Sequence, residues 1–201
     1  MAPPMEGMPE APHFWTTYLA VEDSAATEEK ITAAGGSTMM SSMEVGPFGT
    51  MGIYADPTGA VFGTWQPASH AGFELSGEPG SVAWSEGMVG DFERGKASYT
   101  EVFGWTYQDM SSGDMSYAIF TTPGDDSGMT GGIGAERGQR PYWAVTFGVE
   151  DTDAAAQRVR DAGGQVVVEP YDFEFGRLAV ATGPDGEPFA IMHDPRQAEG
   201  G

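Results

Sequence analysis

The chain has 201 residues, 40% of them apolar, enough for one large domain or one and a half small ones. Lys+Arg 9 against Asp+Glu 30 leaves a formal net charge of -21, which excludes phosphate neutralisation on nucleic acid and docking on an anionic membrane. Without cysteine, disulfides, thiolate metal sites and a cysteine nucleophile are excluded, and the composition fits a reducing cytoplasm. No apolar run reaches the roughly 20 residues needed to span a bilayer, and the acidic N-terminus lacks the basic and apolar regions of a signal peptide.

Residues 1–12 read as a linker-like lead-in, since four prolines forbid a helix. A strand is expected over 14–21. Asp23 or Ser24 then caps a helix to about Ala34, with Thr27, Ile31 and Ala34 as its buried stripe and Gly35-Gly36 as its stop. Strands follow at 38–45, 49–55 and 60–65, the last two joined by the turn Asp56-Pro57-Thr58-Gly59. Residues 68–79 form a linker. The pattern then restarts: a strand at 81–88, a helix capped by Asp91 with Gly95, Tyr99 and Val102 inward, and strands at 105–110, 115–121 and near 129–133. A third copy opens at Tyr142. Asp151 caps its helix, Ala155, Val159 and Ala162 make the stripe, and strands follow at 165–169, 177–181 and 188–192. The turn Gly183-Pro184-Asp185-Gly186 joins the last two. Residues 196–201 are a tail.

The chain is therefore built on a repeat of about fifty residues. FWTTYLAVED and YWAVTFGVED open the first and third copies, and both helices run into Gly-Gly. Each copy is a β-α-β-β-β module: 13–67, 80–134 and 141–195. A single module leaves one sheet face bare. The expected fold class is α+β: modules pair side by side into a curved mixed sheet that forms a cup, with helices on the outside. Small-molecule sites are concave and favour such junctions.

Strand alternation assigns the cup lining. It puts Trp84, Glu86 and Met88 of the second copy, and Tyr142, Thr146 and Met192 of the third, on the sheet faces away from their helices. The lining is aromatic and Met-rich, which suits a planar, partly apolar ligand held by stacking. Glu86 is the sharpest chemical candidate. It is either a solvated rim carboxylate or, if buried, a general base. His13, His70 and His193 are scattered and read as surface or capping residues. GMTGGIG lacks the Lys-Ser/Thr of a phosphate loop, and Asp125-Asp126 reads as a solvated loop pair.

The motifs AVED…AAGG, ADPTG…FGTW, YTEVFGW, GVED…DAGG and GPDGEPFAI resemble the vicinal oxygen chelate superfamily over nearly the whole chain. That superfamily includes glyoxalase I, extradiol dioxygenases and bleomycin-binding resistance proteins. The chain is most similar to actinobacterial two-domain glyoxalase-like proteins often labelled hydroxylases, which carry four modules paired first with second and third with fourth. Three modules here imply that 80–195 is a complete two-module domain and that 13–67 lacks its partner. Either two chains pair through 13–67 as a homodimer, or the chain is a fragment of a longer protein.

The resemblance also implies a metal position seven residues before each helix-capping Asp and another four residues after each hairpin Gly. Those positions hold Thr16, Trp84 and Ala144, then Gly63 and Ala190. None is a good ligand, so no metal or other cofactor is expected. Three functions stay open: a metal-independent protein that binds a small, partly aromatic molecule for sequestration or resistance; a lyase, isomerase or oxygenase of the superfamily; or a protein-interaction module. Metal-independent binding is the leading expectation, and whether any reaction is catalysed is left undecided.

Overall fold

A computed structural model describes residues 13–75, 78–126, 130–138 and 140–195. The lead-in 1–12 and the tail 196–201 lie outside the described residues. The first module comprises β1 (Tyr18–Ala20), α1 (Ser24–Ala33), β2 (Ser37–Val45), β3 (Gly49–Ala55) and β4 (Val61–Pro67). The second comprises β5 (Val82–Val89), α2 (Phe92–Phe103), β6 (Thr106–Asp109), β7 (Tyr117–Thr121) and β8 (Gly131–Ala135). The third comprises β9 (Tyr142–Gly148), α3 (Thr152–Asp161), β10 (Gln165–Phe173), β11 (Gly176–Thr182) and β12 (Pro188–His193).

Each helix starts for the same reason. Asp23, Asp91 and Asp151 hold extended backbone and accept a hydrogen bond from the amides of Ala26, Arg94 and Ala154. That satisfies one donor the helix cannot satisfy internally. α2 stops at Gly104, whose φ of 72° is left-handed.

Among the described residues the strands form two mixed sheets. The first has the order β1-β4-β3-β2, and the second runs β10-β11-β12-β9-β5-β8-β7-β6. Within each module the first strand lies parallel to the fourth, and the other neighbours are antiparallel. The second and third modules join through the antiparallel pair β5–β9, with Trp84 opposite Thr146 and Glu86 opposite Ala144. The curved mixed sheet with outer helices is thus the fold.

Two strands differ most in length from the sequence reading. β1 keeps only the three residues that find parallel partners on β4, from Tyr18↔Gly63 to Ala20↔Trp65. Residues 13–17 run past the end of that ladder toward the third module, where Trp15 packs edge-on against Phe147. β10 is longer than expected because β11 offers partners as far as Gly176. Pro170 cannot donate to a ladder, and the register shifts between Val168 and Tyr171. The α3 stripe also differs. Its buried residues are Thr152, Ala155 and Ala156, while Ala162, at the C-cap, is exposed.

Two buried apolar clusters form. Ile31, Tyr54 and Phe62 of the first module join Tyr99, Trp105, Phe120 and Trp143 in one. Ala155, Ala156, Ala179 and Ile191 form the other beneath α3. Between the modules sits a polar node. The turn carboxylate of Asp56 accepts from the amides of Thr58, Gly59 and Ala60 and from the hydroxyl of Tyr99. Trp143 Nε1 donates to that same hydroxyl at 2.9 Å.

Candidate functional site

The helix side and the cup side of the second sheet are told apart by contacts. Trp143 reaches Tyr99 on α2, and Gly87 lies against the Trp143 ring, so the odd residues of β5 and β9 face the helices. Trp84, Glu86, Met88, Tyr142, Ala144 and Thr146 therefore face the other way. The register sets Trp84 opposite Thr146 and Met88 opposite Tyr142. Ala190 aligns with Thr146, and Met192 with Gly148, which extends the row onto β12. Thr146 is buried at 5% exposure, beneath this row, while Trp84, Glu86, Met88, Tyr142 and Met192 are partly exposed.

Tyr117 is the member that the sequence reading missed. Its hydroxyl donates to Glu86 Oε2 at 2.8 Å, and Trp84 Nε1 donates to the Tyr117 oxygen at 3.1 Å. Three side chains from two non-adjacent strands thus form one hydrogen-bonded row. Room for it comes from β8, which separates those strands. A Cβ at Gly132 would meet the Tyr117 hydroxyl and the Trp84 indole, and one at Gly134 would meet Met88 and the Tyr117 ring. The signal was present in Gly131-Gly132-Ile133-Gly134: glycines two apart clear one face of a strand.

Burial pushes the Glu86 carboxyl above its ordinary range, and the Tyr117 and Trp84 donors partly oppose that shift. Burial, then the Glu86 charge, pushes the Tyr117 phenol up, so it remains a donor. The Tyr142 phenol is also raised, by burial and by the charges of Glu136 and Glu86. The arrangement offers an aromatic surface beside one buried carboxyl whose orientation Tyr117 fixes. It can stack a planar molecule and exchange a hydrogen bond with its edge.

The remaining candidates stand apart. His13 lies 3.8 Å from the Asp185 carboxylate. The His70 ring packs edge-on to Trp65. His193 Nδ1 is 3.3 Å from the Val149 carbonyl oxygen. Asp125 is not simply solvated, because it accepts a hydrogen bond from Thr130. A cavity of about 1250 Å³ lies on the opposite side of the β5–β9 seam, between β1 and the end of α2, lined by Trp15, Phe103, Trp105, Phe120, Val145 and Phe147. Its aromatic walls largely pack on one another, as in the Trp105–Phe120 stack at 3.9 Å.

Paired β-α-β-β-β modules around an open cup define the glyoxalase class of fold. The chain belongs to the glyoxalase/bleomycin resistance protein/dioxygenase superfamily, whose family model matches residues 81–191. It is 35% identical over 196 residues to CFP32 of Mycobacterium tuberculosis, a protein that bears the name of a glyoxylase, covering 96% of this chain and 74% of that one. It is 33% identical over 181 residues to the anthracycline biosynthesis protein DauV of Streptomyces sp. strain C5, covering 90% of this chain and 66% of that one. Among solved structures, the Mn(II)-bound glyoxalase from Novosphingobium aromaticivorans matches with a TM-score of 0.63 at 18% identity, over 88% of this chain and 61% of that one. The 2,3-dioxygenase LapB from Pseudomonas sp. KL28 matches with a TM-score of 0.60 at 15% identity, over 88% and 70%. The two structures share the fold.

The register completes the comparison of metal positions. Gly63 pairs with Tyr18, Ala190 with Thr146 and Gly132 with Glu86, so Gly132 is the second module's counterpart. The six positions are then Thr16, Gly63, Trp84, Gly132, Ala144 and Ala190. Divalent ions in such sites need several imidazole or carboxylate donors, and this set supplies none. Among the described residues no group of three or more His, Cys, Asp or Glu is placed to hold a metal ion. The superfamily's metal does not fit these residues.

Proposed function

We propose that the chain binds a small planar, partly aromatic organic molecule in the cup between modules 80–134 and 141–195, without a metal ion, in a sequestration or resistance role. The observation that carries this reading is the Trp84–Tyr117–Glu86 row on the sheet face away from α2 and α3. Trp84, Met88, Tyr142 and Met192 supply the apolar contact, Thr146 the floor, and Glu86 the polar anchor. The name of DauV, an anthracycline biosynthesis protein, is consistent with a planar ligand.

A thermal-shift screen of aromatic antibiotics and metabolites tests it, since a ligand that binds only the folded state raises the midpoint. The shift should vanish in Trp84→Ala. A shift that survives intact moves the site to the cavity beside Trp105. The shift should also be unchanged by chelator or by added divalent ions.

One observation favours a second reading. A carboxyl raised by burial and held by a phenol suits a general base. In that case the chain is a lyase, isomerase or oxygenase of the superfamily acting on a small carbonyl or aromatic compound. Turnover of a bound compound that is lost in Glu86→Gln would establish it. A chain that binds none of the compounds screened would be read instead as a protein-interaction module.

The first module supports a further part of the proposal. Tyr18 and Met43 are exposed on the sheet face away from α1, at 42% and 50%. A second copy covering this face through 13–67 would bury them in a homodimer. Native mass spectrometry showing only a folded monomer would count against it. The cysteine-free composition supports a cytoplasmic location. Among the described residues no helix is long and apolar enough to cross a membrane.

A further inference from the structure

The cup carries a charge asymmetry. The eight strands of the second sheet contain one lysine or arginine, Arg177, and one histidine, His193, which pairs with it in the ladder. The Arg177 guanidinium is directed to the helix side, where it donates to Asp153 at the start of α3 and also to Asp172 on β10. No lysine or arginine side chain therefore projects from a strand into the cup. Among the described residues, the titratable groups that act with Glu86 are Tyr117 on β7 and Tyr142 on β9, the latter also under the charge of Glu136 just after β8, and none of the three is a cation. Gly132 and Gly134 on β8, Ala144 on β9 and Ala190 on β12 add no charge.

Glu86 is also underused as an acceptor. A carboxylate offers about four lone-pair sites, and the protein fills few of them with the Tyr117 hydroxyl and the Trp84 indole. Both neighbours are donors, so among the described residues the row ends in an acceptor that has no further donor from the cup side. An anionic ligand placed there would meet a like charge with no counter-ion from the strands around it. A ligand hydroxyl would instead complete the row.

We infer that the cup selects uncharged hydroxyaromatic ligands, with Glu86 accepting the ligand hydroxyl, and rejects carboxylated or sulfonated analogues of the same shape. This inference rests on the reading of the cup as the binding site. It adds a rule of discrimination that works by leaving the wrong partner's charge unpaired.

Calorimetric titration of the full chain near neutral pH with 2-naphthol, its methyl ether and 2-naphthoate tests it. The three probes share one ring system and differ in the polar edge. The hydroxyl compound should bind tightest, the ether about tenfold weaker for loss of a charge-assisted hydrogen bond, and the carboxylate about a hundredfold weaker or more. In Glu86→Gln the penalty on the carboxylate should shrink by about tenfold or more, because the repelling charge is gone. If 2-naphthoate or the ether binds as tightly as 2-naphthol and Trp84→Ala abolishes both, the inference fails and the cup reading stands. If none of the probes binds, or if binding survives Trp84→Ala, both fail.

Discussion

Tyr99 donates its hydroxyl hydrogen to Asp56 across 3.1 Å, although 43 positions separate them and they belong to different modules. Trp143, from the third module, donates to the same Tyr99 oxygen. One phenol therefore ties all three copies together. Asp56 is 5% exposed and Tyr99 1%. Burial and the Asp56 charge push the Tyr99 phenol well above its usual range, so it stays a donor wherever the protein is folded. Removing it in Tyr99→Phe leaves the Trp143 indole without its acceptor and one Asp56 oxygen without its donor. Each such loss costs about 1–3 kcal/mol. The expected result is a clear fall in Tm by calorimetry, with the far-ultraviolet circular dichroism unchanged.

Glu86 sets a pH dependence with a definite sign. Its folded-state pKa is raised above the unfolded value, so the folded chain holds the proton more tightly. Stability from this group is present at low pH and is lost as pH rises from the ordinary carboxylate range through the raised value. Where Glu86 is ionised, the buried charge is a net cost. Glu86→Gln should therefore unfold at a higher temperature than the parent at pH values above the raised value. The gain should disappear as pH falls into the ordinary carboxylate range. A pH-independent difference would show that Glu86 is not buried as described.

Gly132 tests the row itself. A methyl group there would collide with the Tyr117 hydroxyl and press on the Trp84 indole. Gly132→Ala should displace the phenol and free Glu86 from its donor. The cost is that of an overpacked site, about 1–3 kcal/mol. Ligand-induced thermal shifts should fall together with those of Trp84→Ala. A Gly132→Ala protein that binds normally would mean that Tyr117 does not organise the cup.

A control far from the cup is available at the end of α2. Gly104 has φ 72°, and an added Cβ would lie 3.3 Å from Pro123. Gly104→Ala should cost about 1 kcal/mol in unfolding free energy by denaturant titration and leave ligand affinity unchanged.

The fold was legible because its signals are local and repeated. Three aspartate caps, three glycine stops and two Asp-containing hairpin turns fix the modules, and alternation then assigns the faces of β5 and β9. The pairing of the second copy with the third came from the resemblance, since no single residue on β5 announces β9. Tyr117 stayed hidden for a different reason. Its role depends on reaching across β8, and only the register shows that Gly132 and Gly134 open the way. The Tyr99–Asp56–Trp143 node was hidden because each residue already had a sufficient local explanation as helix stripe, turn former or strand aromatic. The short β1 was misread because its β-forming residues continue beyond the partner that could pair with them.

The two kinds of cohesion in this chain divide it differently. Backbone hydrogen bonds weld the second module to the third along β5 and β9. Side chains instead weld the second module to the first, through the shared aromatic cluster and Asp56. The third module keeps a small, alanine-rich cluster beneath α3. Its outer strands β10 and β11 lean on that small cluster, and β10 leaves Val167, Val168, Tyr171 and Phe173 exposed. Transient opening should start there and travel inward to the β9 seam, where Trp143 anchors the strand to the larger core. Met192 on β12 is thus hung on a looser frame than Trp84, Glu86 and Tyr142, which sit on the welded pair β5 and β9. The cup is an asymmetric jaw, with the hydrogen-bonding residues on the fixed side and adaptable apolar contacts on the side that yields.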